Sequence, residues 1–91
     1  MLHPSPLPKY RGGSPIQNQI IRGENISAVT IFKMNDILDG GDIYYQHKIS
    51  LKGTLNDILK RIILYGTKGT VKLLTSKKIK IKKQDNKIAS F

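Results

Sequence analysis

Two adjacent hydrophobic periodicities in residues 42–63 constrain the fold more than any other feature of this sequence. Between Asp42 and Leu51 two sets of residues alternate: Ile43, Tyr45, His47, Ile49 and Leu51 against Tyr44, Gln46, Lys48 and Ser50. This alternation is typical of a strand. From Thr54 the period becomes helical, because Leu55, Ile58, Leu59, Ile62 and Ile63 recur at i, i+3, i+4, i+7 and i+8. Asp57 follows Thr54 as in a capping box, so we expect a helix from Thr54 to about Leu74.

A second strand is predicted from Ser27 to Met34, where apolar side chains occupy both faces. A short loop ending in Gly40-Gly41, which can adopt positive φ, joins it to the next strand, so the two strands are expected to pair antiparallel. On that next strand His47 lies on the apolar face and is expected to be packed and hydrogen-bonded rather than a ligand. Lysines alternate with isoleucines in residues 76–83, which is typical of an edge strand.

The first 22 residues predict a loop that leads into a short helix. Three prolines in residues 4–8 exclude a helix there. The next segment predicts a helix from Ser14 to Arg22, with Ser14 as the N-cap, Pro15 at the first helical position and Gln17 completing a capping box. Its buried side is predicted to consist of three isoleucines: Ile16, Ile20 and Ile21. A loop held in this way, with His3 at its front, is a candidate site. The alternative is an ordinary surface loop with a hydrogen-bonded histidine.

The basic charge of the chain is concentrated at its C-terminal end. The net charge is +10, and residues 68–91 contain eight lysines but only one aspartate. Such a segment attracts phosphates, although a solvated lysine-rich tail is the alternative, and base stacking has little support because Phe91 is its only aromatic residue. The chain has no cysteine, which excludes disulfides and Cys-based metal sites, and we expect no metal. No segment resembles a membrane span or a signal peptide, so a cytoplasmic location is expected.

Two ordered stretches resemble a known enzyme family, the formyltransferases that use 10-formyltetrahydrofolate. The first is His3-Pro4-x-x-Leu7-Pro8-x-Tyr10-Arg11-Gly12, followed by Ser14-Pro15-Ile16-Gln17. The second runs from Val29 to Met34 and continues with Leu38-Asp39-x-Gly41-Asp42-Ile43 and Gln46. The likeness covers residues 2 to 65 and includes both methionyl-tRNA formyltransferases and sugar-amine N-formyltransferases.

The resemblance implies a chemistry and a set of site residues. Formyl transfer to an amine needs stabilisation of an oxyanion and movement of a proton, which histidine can supply near neutral pH. The family uses an Asn-x-His pair and an aspartate, which places the catalytic residues at His3 and Asp39. The asparagine would fall at Met1, so its amide is missing here. The resemblance also implies that Leu38, Asp39 and Gly40 contact the folate donor and that Tyr10 and Arg11 contact an anionic acceptor.

The resemblance further predicts a truncated Rossmann-like α/β domain. We expect a partial catalytic domain in residues 1–75, made of a helix, an antiparallel strand pair and a long helix, and a lysine-rich tail in residues 76–91. The signature loop comes halfway through the family's domain, so the chain is read as a fragment that lacks the N-terminal half and is not active alone. The acceptor is either a nucleotide-linked amino sugar or methionyl-tRNA. The alternatives are a small basic nucleic-acid-binding protein and an inactive remnant of a truncated gene.

Overall fold

Three antiparallel strands form the centre of the fold, as seen in a computed structural model that describes residues 1–91. The elements are β1 (Leu2–His3), α1 (Pro15–Ile21), β2 (Ile26–Phe32), β3 (Ile43–Ser50), α2 (Leu55–Thr75) and a 3₁₀ turn at Asn86–Ile88. β2 lies between β1 and β3, with Thr30 opposite both His3 and Gln46. The expected α/β class and the antiparallel pairing are confirmed. β1 was not expected, because residues 1–13 were predicted to be a loop throughout.

The two faces of the central strand are covered by different parts of the chain. α2 packs on one face, where Gly66 approaches both Leu2 and Val29. The N-terminal loop covers the other face, where the Thr30 hydroxyl donates to the carbonyl of Ser5 at 2.6 Å. Val29 and Thr30 are both fully buried as a result. The prediction that this strand is covered on both sides is therefore confirmed.

Helix α2 begins at the predicted cap. The Thr54 hydroxyl accepts from the Asp57 N–H at 3.2 Å, and the Asp57 carboxylate accepts from the Thr54 N–H at 3.0 Å. The Thr54 backbone hydrogen bond, followed by that of its side chain, lowers the pKa of the Asp57 carboxyl. Since the folded pKa lies below the unfolded one, this stabilising contribution is complete above about pH 4 and is lost as the pH falls through the folded value.

The glycines inside α2 do not interrupt it. Gly66 and Gly69 are both buried, and a Cβ at Gly69 would lie 2.5 Å from the ring of Tyr45. The helix therefore runs unbroken to Thr75, because the missing side chains let it approach the sheet closely.

Several sequence expectations for the first helix were wrong. Ser14 has φ 54° and makes no side-chain cap hydrogen bond, so the expected capping box does not form. The buried side chains of α1 are Ile16 and Gln19, whereas Ile20 and Ile21 are 47% and 81% exposed. The left-handed backbone at Ser14 sets the angle at which the helix starts, and the sequence pattern did not predict it.

Other local expectations also need correction. Residues 76–83 form a single bridge, between Lys82 and Ile43, rather than an edge strand. His47 is exposed, although it was expected on a packed apolar face. The expected hydrogen bond is present, because His47 Nδ1 donates to the carbonyl of Lys48 at 2.7 Å, and the ring stacks on Tyr65. Positive φ in the 35–41 loop occurs at Asp39 and not at the two glycines. No helix combines the length and apolar composition needed to cross a bilayer.

Candidate functional site

His3 is held in one orientation at the end of β1. It is 7% exposed, and its Nε2 lies 2.8 Å from the carbonyl of Tyr10. A carbonyl can only accept, so Nε2 carries the proton of this hydrogen bond. The ring also meets Phe32 edge-on, with centroids 6.5 Å apart. The contact to Tyr10 therefore leaves Nδ1 as the atom that can take up or release a proton.

Asp39 faces that nitrogen from the loop between β2 and β3. Its Oδ2 lies 3.6 Å from His3 Nδ1 and accepts from the Gly12 N–H at 2.7 Å. Asp39 is 9% exposed and has φ 52°, a conformation that aspartate tolerates better than most residues. The carboxylate is thus held between the Pro-rich loop and the imidazole. This is the one place in the structure where an acidic and a basic side chain approach within 4.0 Å, and it joins the two residues that the resemblance selects as catalytic.

The geometry of the pair suits electrostatic stabilisation of a protonated His3, since 3.6 Å between Nδ1 and Oδ2 is longer than a hydrogen bond. A carboxylate beside Nδ1 stabilises the imidazolium that forms when His3 takes up a proton, while Tyr10 fixes the other nitrogen. Burial strengthens this electrostatic interaction, because little water screens it. No group of three or more histidine and acidic side chains is placed to hold a metal ion.

Gly40 and Gly41, which follow Asp39, lie too close to neighbouring atoms to be replaced by residues that carry a Cβ. A Cβ on Gly41 would lie 1.4 Å from the carbonyl oxygen of Lys33, and one on Gly40 would lie 2.3 Å from Ile37. A larger residue at position 41 would push the loop away from Lys33, which directly follows β2, whereas one at position 40 would collide with Ile37 inside the loop. The loop that carries Asp39 is therefore shaped by steric contact rather than by the positive φ expected at these two glycines.

Gln84 fastens the Asp39 loop from the C-terminal segment. Its Nε2 donates to the carbonyls of Asp39 and Gly41, both at 2.7 Å, and its Oε1 accepts from Arg11 at 3.2 and 3.3 Å. The side chain thus links the loop to the Pro-rich segment. Neither periodicity nor spacing indicated this role, because the three partners of Gln84 are distant along the chain.

Removing this link is expected to destabilise the fold. Gln84→Ala leaves two carbonyls without partners and leaves the buried guanidinium of Arg11 with Asn86 as its remaining partner, which costs about 1–3 kcal/mol of unfolding free energy. Urea denaturation of the variant measures the loss. Gln17→Ala, an exposed glutamine on α1, is the matched control and should change stability by less than about 0.5 kcal/mol. Equal stability of the two variants would show that Gln84 does not fasten the loop.

Tyr10 and Arg11, expected to contact the acceptor, point inward. The Tyr10 hydroxyl donates to Glu24 at 3.1 Å, and burial, reinforced by that carboxylate, raises its pKa. Arg11 is 4% exposed and donates to Gln84 and to Asn86, the latter at 2.7 Å. Both side chains are therefore occupied by intramolecular partners. Contact with an acceptor stays a prediction and would require Arg11 to exchange these partners.

The backbone expected to face the donor is partly free. Leu38 makes no backbone hydrogen bond, and the N–H of Asp39 is also unpaired. By contrast, the Gly40 N–H donates to Ile37 and the Asp39 carbonyl accepts from Gln84. A small cavity of about 130 Å³ lies beside these groups, lined by Met1, Phe32, Met34, Asn35, Ile37, Leu38 and Asp39. The cavity thus combines unpaired backbone groups with a mainly apolar lining.

Comparisons with known proteins place this geometry in context. The model of the Formyl transferase family matches residues 1–74. The chain is 40% identical to the methionyl-tRNA formyltransferase of Thermotoga sp. (strain RQ2), and this match covers 99% of the chain and 30% of that protein. It therefore spans less than a third of that relative's length.

Solved structures that resemble this chain are also formyltransferases. The methionyl-tRNA formyltransferase from Clostridium thermocellum superimposes with a TM-score of 0.83 at 34% identity, over 99% of this chain and 40% of that one. An N-formyltransferase from Helicobacter canadensis, solved with folinic acid and dTDP-3-aminofucose, superimposes with a TM-score of 0.80 at 26% identity, over 98% of this chain and 35% of that one. The Rossmann-like fold expected from the sequence is confirmed.

Proposed function

This chain belongs to the formyl transferase family, and on that premise we propose that it supplies part of a site that moves a formyl group from 10-formyltetrahydrofolate to an amine. The observation that supports the proposal is the buried approach of His3 Nδ1 to Asp39 Oδ2 at 3.6 Å. In this proposal both residues are catalytic. His3 takes the proton from the amine at Nδ1 as that amine attacks the formyl carbon, and Asp39 stabilises the resulting imidazolium. His3 then returns the proton to the nitrogen of tetrahydrofolate as the bond from that nitrogen to the formyl carbon breaks.

The donor is proposed to bind against the loop that carries Asp39. The unpaired backbone groups of Leu38 and Asp39 would pair with the polar edge of its ring, while Gly40 would contribute close approach rather than a hydrogen bond. The formyl group supplied by the donor would then lie near His3. Position 1 adds no amide donor to this site, because a methionine stands where the family has asparagine.

The rest of the domain is proposed to pack on an exposed apolar surface beside β1. A groove of about 400 Å³ there is lined by Leu2, Ile62, Ile63, Gly66, Thr67 and Thr70. Ile63 is 67% exposed and Leu2 is 41% exposed, and β1 is an edge strand. Apolar surface at a sheet edge favours association, so residues 1–91 alone are expected to lack a complete site.

The acceptor is proposed to be methionyl-tRNA, with a nucleotide-linked amino sugar as the second candidate. Methionyl-tRNA formyltransferases are among the relatives at 40% identity, whereas the sugar-related structure is 26% identical. A cytoplasmic location stays a prediction.

A chimaera tests the proposal. Residues 2–91 replace the aligned segment of the Clostridium thermocellum enzyme, which keeps its own residue before Leu2. We expect this chimaera to formylate methionyl-tRNA from 10-formyltetrahydrofolate, whereas residues 1–91 alone show no turnover. A second chimaera, in which Met1 replaces that residue, should have a kcat about 10²–10³-fold lower than the first chimaera, because the side chain that donates to the oxyanion is lost.

Two outcomes would contradict the proposal. A folded first chimaera without turnover would indicate an inactive remnant. Turnover by residues 1–91 alone, at a rate near that of the intact Clostridium enzyme, would show that the chain is self-sufficient. Circular dichroism of each protein confirms that it is folded before activity is compared.

A further inference from the structure

A third cavity lies away from the His3–Asp39 site. It encloses about 450 Å³ between β3, the C-terminal end of α2 and residues 76–80. We call it the lysine groove. Its lining includes three lysines and three ring side chains: Lys72, Lys78, Lys80, Tyr44, Tyr45 and His47. None of these residues takes part in the proposed formyl transfer.

Aromatic rings form one wall of the lysine groove. His47 stacks on Tyr65 of α2 with centroids 4.1 Å apart and an angle of 13°, and Tyr45 continues the stack at 6.5 Å. Close contact between Gly69 and Tyr45 fixes the distance between α2 and β3. His47 itself is exposed. The fold therefore brings rings from β3 to the lysine-rich tail, which contains only Phe91 as an aromatic residue of its own.

The positive charge of the lysine groove is not neutralised. Lys72, Lys78 and Lys80 are all exposed, and no lysine of the chain lies within 4.0 Å of a carboxylate oxygen, since the one such contact to an acidic side chain is that of His3. No acidic residue lines the groove. Lys68, one turn before Lys72, lies 5.5 Å from the centroid of the Tyr65 ring and adds a fourth cation nearby. The groove thus offers a concentrated positive field beside exposed rings.

We propose that the lysine groove binds single-stranded RNA, independently of formyl transfer. Phosphates lie against Lys72, Lys78 and Lys80, and a base packs against the part of the His47 ring that Tyr65 and Tyr45 leave exposed. Rings beside a cationic channel are the arrangement that single-stranded nucleic acids require. A membrane surface would instead require apolar side chains that project from a flat or convex face, whereas these rings line a concave one.

Fluorescence anisotropy of the 91-residue chain with a fluorescein-labelled 12-nucleotide oligouridine tests the proposal. Three phosphate contacts contribute a slope of about −2 to the plot of log affinity against log salt, or roughly a twentyfold loss between 50 and 200 mM salt. The Lys72/Lys78/Lys80→Ala variant should lose that slope. The Lys33/Lys52/Lys60→Ala variant removes equal charge from exposed positions outside the groove and should keep it.

The ring contact has its own test. His47→Ala should weaken binding about tenfold, since stacking on one base is worth about 1–3 kcal/mol. Phe91→Ala removes an exposed ring outside the groove and should leave binding unchanged. Equal loss in the two lysine variants, or full binding by His47→Ala, would overturn the proposal. Binding to phosphatidylserine vesicles without binding to oligouridine would also overturn it. Circular dichroism verifies that each variant is folded.

Discussion

Replacing His3 with alanine is expected to lower kcat/KM of the active chimaera by about 10²–10⁴-fold, the range that general acid–base catalysis contributes. The imidazole is the only group near Asp39 with a free nitrogen that can accept a proton. Alanine cannot take the proton of the attacking amine. Steady-state formylation of methionyl-tRNA by the chimaera and by its His3→Ala variant measures the ratio.

Gln17→Ala in the same chimaera is the control, because Gln17 is exposed and makes no hydrogen bond through its side chain. Its kcat/KM should equal that of the parent chimaera. His3 is buried, so the thermal transition of the His3→Ala variant is compared with that of the parent to separate unfolding from loss of catalysis. A folded His3→Ala variant with unchanged kcat/KM would remove His3 from the reaction.

Truncating Ile58 is expected to have the largest effect on stability. Ile58 is 1% exposed and packs with Ile16 and Leu51, so that it joins α1, the end of β3 and α2 in one small cluster. Ile58→Ala should lower the free energy of unfolding by about 2–5 kcal/mol, the range for deletion of a buried isoleucine side chain. A domain of this size has few such clusters, so this loss is a large part of its total stability.

Ile63→Ala is the matched control for that measurement. Ile63 lies on the same helix but is 67% exposed, so its truncation should cost less than about 0.5 kcal/mol. Urea denaturation of the two variants under identical conditions gives the comparison. Losses of equal size would show that the cluster around Ile58 is not the core of the fold, or that Ile63 is covered by association between chains.

Local patterns predicted the parts of this fold that local interactions determine. The Thr54–Asp57 capping box lies within four residues, and it forms as expected. The alternation in residues 42–51 placed β3 correctly to within about two residues, as β3 runs from Ile43 to Ser50. By contrast, Ile20 and Ile21 are exposed although their spacing predicted burial, because few residues pack against that side of α1.

The candidate site was accessible from the sequence only in part. The resemblance selected His3 and Asp39, and the fold places them beside each other. The fastening of the Asp39 loop by Gln84, and the inward orientation of Arg11, depend on hydrogen bonds between residues more than 40 positions apart. No periodicity or motif encodes such contacts. The same limit applies to the lysine groove, since its rings and lysines come together only when α2 packs on β3.

The central claim is that His3 and Asp39 act as one unit, and a double-mutant cycle tests it most directly. kcat/KM is measured for the chimaera, for His3→Ala, for Asp39→Asn and for the double variant. We expect the double variant to lie within roughly a factor of three of His3→Ala, because a carboxylate that acts through an imidazole contributes nothing once the imidazole is gone. If the fold-loss in kcat/KM of the double variant equals the product of the two single-variant losses, the account is contradicted, since the two side chains would then act independently.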